Sequence, residues 1–544
     1  MRVFYLLLLL SLVIWLGVFG KGESLAGPGQ AKSTVPVKDV LYNVRNYGAA
    51  GDGVVKDTRA IQRAIDQASV AGGGTVYFPP GKYISGTIIL KSNMTLHLEK
   101  GATLLASPDS THYPHIWPKF KSYTDNYVSQ ALIYAERQEN IGITGYGTID
   151  GQGEHWQWRQ YGNRPYVIRF VECRYVQIEN VRMRNSPMWM QQYLACSFVT
   201  IRGIHVWNHS TYNNDMIDID CCSNVTVSDC WGNSDDDALT LKSTGPRVTE
   251  NVTITNCVLG SRCNAIKMGT ESTGGFKNIT ISNCTINSHH RGKGFYGYNL
   301  GSTGLSLEMV DGGTLENITV SNITMKGVRS PLFLRLGNRA RPHTEGVEKP
   351  GVGIFRNVVI SNIIATELDT LGCSILGIPG HAIENVTLSN IRMRFPGGGT
   401  TEDAEKVLPE QEDGYPDASR FGTLPAWGFF CRHVDGLRIS NIDLEVAGQE
   451  QRPAMVFDDV KNLYLDGFSE EKKTGGAGRT IMLRNVRGAL IRGCRPHTAS
   501  RSFLRLEGET SDVSAVGNDL SGLKEKFEFA PGVSKSVLFQ SGNR

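Results

Sequence analysis

The sequence has little net charge, no periodic glycine pattern and no Cys-X-X-Cys pair. Its 544 residues include 56 Lys and Arg against 53 Asp and Glu, which gives a formal net charge of +3. Nucleic-acid-binding domains are usually strongly basic, so this balance argues against nucleic acid as a partner. The 61 glycines follow no Gly-X-Y period, which excludes collagen and favours frequent turns. No Cys-X-X-Cys pair occurs, so the cysteines give no support to a zinc site.

The N-terminal segment has the composition of a targeting sequence. Arg2 precedes an apolar run from Val3 to Phe19, and a polar stretch begins at Lys21. This order is typical of a secretory signal peptide, although the run is long enough to leave a membrane anchor open. We predict a signal peptide or anchor over residues 1–20, a linker over 21–39 and one domain over 40–544. The predicted location is periplasmic, cell-surface or secreted, without a stable membrane partner.

A short strand-and-turn pattern recurs from about residue 140 onwards. Each copy starts with Asn, continues with alternating Val, Ile and Thr, and closes with an Asn or Asp bend. Clear copies begin at Asn224, Asn251, Asn278, Asn317 and Asn385. Spacings of 23 to 28 residues suit three short strands per coil, and stacked coils bury a continuous core. The pattern therefore predicts an all-β fold, a parallel β-helix.

A helical pattern precedes these repeats. Asp57 and Thr58 offer an N-cap, and Gly72 stops the pattern. The apolar residues at helical spacing between them are Ile61, Ala64, Ile65 and Ala68. Because a solenoid needs a cover over its first open coil, we predict that this helix caps the β-helix.

Eleven cysteines in an exported protein raise the question of disulfides. Cys230, Cys257 and Cys284 are spaced by 27 residues, and each ends a similar segment. Equivalent positions on successive coils predict a ladder of buried, inert thiols rather than a disulfide framework. The Asn-X-Thr sites lie inside the strand pattern, so we interpret them as turn residues rather than glycosylation sites.

Three long gaps between repeats, from 278 to 317, from 317 to 357 and from 385 to 436, predict loops inserted on the wall of the coil. Repeat proteins often build their binding face from such insertions. The last insertion, around Thr400–Asp417, is acidic and rich in Gly, and we predict that it is mobile.

Two acidic clusters stand one repeat apart. Asp215 lies 21 and 22 residues before Asp236 and Asp237. If each repeat is one coil, these side chains stack on neighbouring rungs about 4.8 Å apart at the backbone. Single aspartates in turns are usually capping or solvent-facing residues, but stacked carboxylates cost stability, which proteins accept at catalytic sites. Paired carboxylates acting as acid and base are what glycosidic hydrolysis needs.

Several motifs make the chain similar to glycoside hydrolase family 28, the polygalacturonase family of right-handed parallel β-helices. The motifs are Gly-Thr-Ile-Asp-Gly-Gln-Gly at 147–153, Asn-Ser-Pro-Met-Trp at 185–189, Asn-Asn-Asp at 213–215 and Asp-Asp at 236–237. The resemblance runs from about residue 40 to at least 320. It implies that Asp236 is the general acid, that Asp215 and Asp237 activate the attacking water, and that the anomeric configuration inverts. It implies a pectin-like polysaccharide substrate and neither metal nor cofactor.

The chain also departs from the family pattern. The family's Gly-His-Gly falls at 263–265, where Asn264 replaces the histidine, and its Arg-Ile-Lys falls at 306–308, where both cations are missing. In the family these cations contact a galacturonate carboxylate, so rhamnogalacturonan or an exo-acting role on a side chain is open beside plain polygalacturonate. The predicted substrate-binding residues are Asn213, Asn264, Lys267, Glu271 and Arg335, with Arg339 and Arg341 close behind the last.

Two other functions stay open from the sequence alone. A polysaccharide lyase on the same scaffold would use Ca²⁺ and a basic residue, and the shortage of basic residues at the matched positions argues against it. A non-catalytic glycan-binding β-helix would not need the carboxylates, and the presence of all three argues against that.

Overall fold

Alternating burial gives each coil its inward apolar face. In the strand Phe276–Asn287, the residues Phe276, Ile279 and Ile281 are buried, while Lys277 and Thr280 point away from the core. This alternation is the expected consequence of the two-residue period of a β-strand. The same pattern recurs along the chain, so the inward side chains of successive coils join in one long core.

The computed structural model describes residues 40–156, 161–294, 297–473 and 478–544. The predicted signal peptide and linker over residues 1–39 lie outside the described residues. None of the described helices is long and apolar enough to span a membrane.

The described residues form 38 strands. Those of the N-terminal half are β1 (Leu41–Asn43), β2 (Asp52–Lys56), β3 (Gly74–Phe78), β4 (Gly81–Ser85), β5 (Ile88–Ile89), β6 (Met94–Leu98), β7 (Ala102–Ala106), β8 (Ala131–Glu136), β9 (Glu139–Gly145), β10 (Thr148–Asp150), β11 (Tyr166–Val171), β12 (Arg174–Glu179), β13 (Arg182–Arg184), β14 (Gln191–Leu194), β15 (Ser197–Arg202), β16 (His205–Asn208), β17 (Ile217–Asp220), β18 (Ser223–Ser228), β19 (Trp231–Ser234), β20 (Leu239–Ser243), β21 (Thr249–Thr255) and β22 (Val258–Ser261). The remainder are β23 (Asn264–Ser272), β24 (Phe276–Asn287), β25 (Gly301–Met309), β26 (Thr314–Lys326), β27 (Val328–Leu336), β28 (Ile354–Thr366), β29 (Cys373–Leu376), β30 (Ile383–Phe395), β31 (Phe429–Val446), β32 (Met455–Lys472), β33 (Ile481–Arg484), β34 (Arg487–Arg492), β35 (Ser502–Glu507), β36 (Ser511–Val516), β37 (Glu525–Phe529) and β38 (Leu538–Ser541).

Helices are few and short. The α-helices are α1 (Thr58–Val70) and α2 (Thr401–Ala404). The 3₁₀ turns are Val44–Tyr47, Ser110–His112, Tyr123–Asn126, Gly153–Trp156, Tyr161–Asn163, Ala418–Phe421 and Lys535–Val537.

Each strand pairs in parallel with the equivalent strand of the next coil, as β12 does with β15 and β15 with β18. The coil is right-handed, the hand that connections between parallel strands adopt. The fold is therefore the predicted right-handed single-stranded parallel β-helix.

The predicted capping helix is confirmed as α1, which buries Ile61, Ala64 and Ile65 in the core. The predicted side-chain cap is wrong, because Asp57 makes no capping hydrogen bond. Its carboxylate instead accepts hydrogen bonds from the backbone amides of Ala50 and Gly51, at 2.6 and 3.1 Å. The side chain thus ties the loop before the helix to its start.

The asparagines that open the repeats form a ladder along the outside of the coil. The Asn251 amide donates to Asn224, Asn278 donates to Asn251, and Asn317 donates to Asn278, at 3.1–3.3 Å. All four adopt positive φ values of 54–60°, a region that Asn tolerates better than most residues. This use of their amides agrees with the interpretation of these sites as turn residues.

The cysteines behave as predicted. Cys230, Cys257 and Cys284 are buried. Trp231, which follows Cys230, pairs in register with Val258, which follows Cys257. All eleven cysteines lie among the described residues, and none is in a disulfide.

One sheet carries the candidate site. It contains β8, β11, β14, β17, β20, β23, β25, β27, β29, the first residues of β31 and β32, and then β33 and β35. In β17, Ile217 and Ile219 face the core, so Asp218 and Asp220 face outward. We call this the site-bearing sheet.

The acidic insertion is not the mobile loop that its composition predicts. The short α2 begins with a capping box between Thr400 and Asp403, and Leu408, Phe421 and Leu424 are buried in a second hydrophobic cluster outside the coil. Apolar residues in the insertion and directly after it therefore anchor it, despite its acidic and glycine-rich composition.

Candidate active site

The three predicted catalytic aspartates lie on adjacent rungs of the site-bearing sheet. Asp215 lies two residues before β17, and Asp236 and Asp237 lie between β19 and β20. The Met216 amide, next to Asp215, donates to the backbone carbonyl of Asp237 at 3.0 Å. The next rung begins where the Ala238 amide donates to the carbonyl of Asn264 at 2.9 Å. The one-repeat spacing thus brings the acidic clusters together, as the sequence predicts.

Asp237 is held by two groups from the following rung. Its Oδ1 accepts from the Asn264 side-chain amide at 2.6 Å, and its Oδ2 contacts the Lys267 ammonium at 3.0 Å. Burial alone would raise the pKa of Asp237, but Lys267, Lys242 and the Asn264 hydrogen bond outweigh it and lower the pKa. Asp237 is therefore ionised at neutral pH.

Asp215 belongs to a buried group centred on Lys242. The Lys242 ammonium lies 4.0 Å from Asp215, 3.7 Å from Asp218 and 3.5 Å from Glu271. It also lies 4.5 Å from the centre of the Trp189 ring, on which it makes a cation–π contact. Asp215 Oδ1 and both oxygens of Asp218 have no hydrogen-bond partner among the described residues.

The carboxylates around Lys242 differ in protonation. Burial raises the pKa of Asp215 and of Asp218 well above the usual range, and the charge of Asp236 raises that of Asp215 further. Burial acts on Glu271 in the same direction, but Lys242 and Arg341 outweigh it and hold its pKa well below normal. The site thus holds carboxyl groups with raised pKa values close to one with a lowered pKa. Acid–base catalysis requires such a combination of protonated and ionised groups.

Asp236 is the half-exposed member of the three aspartates. Its Oδ1 accepts from the Asp237 amide at 2.9 Å. One oxygen of Asp236, one of Asp237 and the Cys263 sulfur lie within 4.8 Å of one another. Because the Lys267 ammonium already contacts Asp237, these atoms make a poor cation site.

Two arginines from the loop after β27 reach the same site. Arg341 contacts Glu271 at 2.9 Å, and its guanidinium lies 4.0 Å from the centre of the Tyr123 ring. Arg339 donates to the Thr270 carbonyl at 2.9 Å. In the sequence both stand close behind Arg335, and neither is among the five predicted binding residues. Their position depends on the path of the loop, which no repeat spacing reveals.

The other predicted binding residues have defined contacts. Asn213 accepts from Arg164 at 2.7 Å, and Glu271 also accepts from the Tyr127 hydroxyl at 2.7 Å. Arg335 is buried and donates to the backbone carbonyls of Glu410 and Gln411 at 2.8 and 2.9 Å. The structure therefore brings Asn264, Lys267 and Glu271 to the aspartates, whereas it binds Arg335 to the acidic insertion. The substrate-binding roles of all five stay predictions.

Glu308, at the position of the family's missing lysine, is almost fully buried. Its Oε1 accepts from Ser306 Oγ at 2.5 Å, and its Oε2 has no hydrogen-bond partner among the described residues. Burial raises the pKa of Glu308 to about 7, and it does so against the opposing effect of Lys267. The carboxylate charge of Asp237 adds to the increase.

Replacing Glu308 with Gln should change how stability depends on pH. A carboxyl whose folded pKa lies above its unfolded value binds its proton more tightly in the fold, so wild-type stability falls as pH rises from about 4.5 to 7. The rise in pKa from 4.5 to about 7 corresponds to about 3 kcal/mol. Glu308→Gln removes this fall, so thermal unfolding should show the variant gaining on the wild type at pH 8 relative to pH 4.5. Parallel pH profiles of the two proteins would contradict the assignment.

The fold and the stacked carboxylates are those of a glycoside hydrolase. The chain belongs to glycosyl hydrolases family 28, which its residues 87–411 match. The resemblance expected from the motifs is thereby confirmed.

Relatives and solved structures agree with this membership. A probable polygalacturonase of Vitis vinifera is 35% identical over 215 residues, which are 36% of this chain and 43% of the relative. An exo-poly-alpha-D-galacturonosidase of Dickeya chrysanthemi is 29% identical over 191 residues, 34% of this chain and 31% of the relative. The chain therefore spans less than half the length of these curated relatives. The crystal structure of an exopolygalacturonase from Thermotoga maritima shares the fold, with 24% identity and a TM-score of 0.56 over 66% of this chain and 87% of that one.

Proposed function

We propose that this protein hydrolyses glycosidic bonds in a galacturonate-containing, pectin-like polysaccharide with inversion at the anomeric carbon. The observation that carries the proposal is the contrast between Asp236 and Asp237. These neighbours are joined by a hydrogen bond, but Asp237 is buried and paired with Lys267 whereas Asp236 is half-exposed. Two adjacent carboxyl groups in different environments can act as acid and base at one pH.

The roles follow from these environments. Asp236 donates a proton to the leaving glycosidic oxygen, because it is the aspartate that the substrate can reach. Asp237, held ionised by Lys267, accepts a proton from the attacking water. Asp215, whose pKa burial raises, is less suited to be the stronger base and orients the water through its unpartnered oxygen. Water attacks the anomeric carbon as the leaving oxygen takes the Asp236 proton, and Asp237 takes the proton from water.

Cationic side chains favour an acidic substrate. Lys242, Lys267, Arg339 and Arg341 lie around the aspartates, and the Arg341 side chain is 26% exposed. A guanidinium suits a sugar carboxylate through its bidentate geometry. The grape and Dickeya relatives are both named for activity on polygalacturonate, which belongs to the same polymer class. Such a polymer is extracellular, which agrees with the predicted export.

Rhamnogalacturonan is the second candidate substrate, and Glu308 favours it. An acidic residue stands where the family carries a lysine, and Asn264 stands where it carries a histidine. Ionised Glu308 would repel a uronate carboxylate near Lys267, whereas a neutral rhamnose unit carries no charge to repel.

Product analysis on a panel of acidic polymers tests the proposal. Polygalacturonate, rhamnogalacturonan and alginate would be incubated separately while reducing ends and ultraviolet absorbance are followed together. We expect saturated products from a galacturonate-containing polymer, and proton NMR of the first product should show the anomer opposite to the substrate linkage. Which of the two polymers is cut shows whether the substrate is polygalacturonate or rhamnogalacturonan.

Other outcomes would overturn the proposal. Unsaturated products that disappear in chelator would show a lyase, and binding without any product would show a glycan-binding protein. Retention of the anomeric configuration would leave hydrolysis in place but remove the proposed inversion.

A further inference from the structure

The outward face of the site-bearing sheet can be followed rung by rung through one register. Starting from Tyr134, the paired residues are Arg169, Gln192, Asp218, Thr240, Lys267, Ser306, Phe333, Ser374, Phe430, Val456 and Met482. On an uncovered solenoid, a polysaccharide could lie along this whole face. In this structure every residue of the register is at most 4% exposed, so other parts of the chain lie over the face, and the rungs differ in which residues cover them.

The N-terminal end of the register is covered. Arg169 is 1% exposed although it points outward, and its guanidinium donates to the Val128 carbonyl at 2.7 Å. Tyr134 packs in a cluster with Val128 and Trp189. The residues that lie over these rungs belong to 113–130, which we call the first cover segment. Its Tyr127 reaches as far as Glu271.

The C-terminal end is covered by residues 399–424, which we call the second cover segment. It contains the acidic insertion around Thr400–Asp417 and the residues that follow it. Phe333, Phe430, Val456 and Met482 are at most 2% exposed. They pack in a cluster with Leu408, Ala418, Phe421 and Leu424 of the second cover segment.

Buried arginines fasten the second cover segment to the sheet as Arg169 fastens the first. Arg335 donates to the carbonyls of Glu410 and Gln411, and Arg432 donates to those of Leu408 and Pro409 at 2.8 and 3.2 Å. Hydrogen bonds from charged donors to backbone carbonyls are strong when buried. The second cover segment is therefore bound to the sheet by buried hydrogen bonds and forms a wall beside the site.

The rungs between the two cover segments carry the aspartates. Asp218, Thr240, Lys267 and Ser306 occupy four successive rungs, a distance of about 14 Å at 4.8 Å per rung. These four residues are buried as well, but beside them solvent reaches the side chains of Asp236, Arg341 and Tyr415.

We propose that the two cover segments turn the groove into a pocket, so that the enzyme cuts its polysaccharide from a chain end, with Tyr415 as a substrate-contacting residue of the pocket wall. The proposal rests on the proposed hydrolytic function. A polymer that runs through the site would have to displace one of the covers, whereas a chain end fits between them.

Tyr415 stands where the second cover segment meets the site. Its ring centre lies 6.0 Å from the Lys267 ammonium and 5.9 Å from the Arg339 guanidinium, and the residue is 49% exposed. An exposed aromatic face beside cations offers a sugar ring both an apolar surface and charges for its carboxylate.

The test compares product lengths at low conversion. The purified full chain would digest polygalacturonate and rhamnogalacturonan while reducing ends, viscosity and product sizes are measured, with short oligogalacturonides as parallel substrates. We expect the shortest saccharides alone from the outset, with little loss of viscosity. Early release of a broad range of long oligosaccharides, with a sharp fall in viscosity, would overturn the end-cutting proposal and leave hydrolysis intact. Failure on every polymer and every oligosaccharide would instead overturn the proposed function.

Two point variants test the wall without removing it. Tyr415→Ala should raise KM about tenfold with a smaller change in kcat, as expected when a ring that binds the sugar is lost. Val407→Ala, at a 79% exposed position of the same cover segment, should match the wild type. Equal KM values for the Tyr415 variant and the wild type would remove Tyr415 from the pocket.

Discussion

Replacing Asp236 with Asn lowers kcat on the cleaved polymer by about 10²–10⁴-fold, the usual contribution of a general acid. The amide keeps the size of the side chain and can still accept the hydrogen bond from the Asp237 amide. It has no acidic proton to give to the leaving oxygen, so the loss should appear in kcat with KM nearly unchanged. Initial rates over a range of polymer concentrations measure both constants.

A matched substitution separates chemistry from folding. Asp512→Asn makes the same change at an exposed position of a distant coil, and it should leave kcat unaltered. Both variants should unfold at the wild-type temperature, since neither removes buried apolar surface. If Asp236→Asn retained wild-type turnover, the general acid would have to be another residue.

Repeat spacing was enough to predict the coil and the stacking of the candidate catalytic aspartates. The 27-residue step between Cys230, Cys257 and Cys284 reports the length of a coil, and a coil length fixes which residues stack. Because Asp215 lies 22 residues before Asp237, a separation close to the length of one coil, the sequence alone placed them on adjacent rungs. Contacts that follow the register of a parallel ladder can be predicted because the register is regular.

Contacts made by insertions could not be predicted in this way. Arg341 reaches Glu271 and Tyr415 reaches Lys267, although each pair is far apart in sequence. Their positions depend on how a loop folds back over the sheet, which is decided by buried contacts such as that of Phe421. The acidic, glycine-rich composition of the second cover segment predicted mobility. Composition averages over all residues of a segment, so it does not reveal the few apolar side chains that anchor this one.

The burial of Asp218 could not be predicted from the sequence either. Alternation places it on the outward face of β17, where a carboxylate is expected to be solvated. The structure buries it between Lys242 and the rest of the site, and burial raises its pKa. Whether an outward residue is exposed depends on what covers the coil.

Replacing Lys242 with Met should be the most destabilising of these substitutions. The ammonium is buried among Asp215, Asp218 and Glu271. Without it, Glu271 keeps Arg341 as its cation, whereas Asp215 and Asp218 lose the positive charge that offsets their burial. Breaking a buried ion pair from one side costs about 3–5 kcal/mol. We expect the denaturant midpoint to fall and turnover to be lost with it, because Asp215 no longer has a fixed position.

A second substitution tests whether uncompensated charge is the cause. Adding Asp218→Asn to Lys242→Met removes one of the stranded carboxylates, so the double variant should regain part of the lost stability, a coupling that a double-mutant cycle measures. Lys277→Met breaks an exposed pair with Glu316, at 2.9 Å, and should have little effect because solvent screens that pair. If the double variant is no more stable than Lys242→Met alone, the loss comes from packing against Trp189 rather than from buried charge.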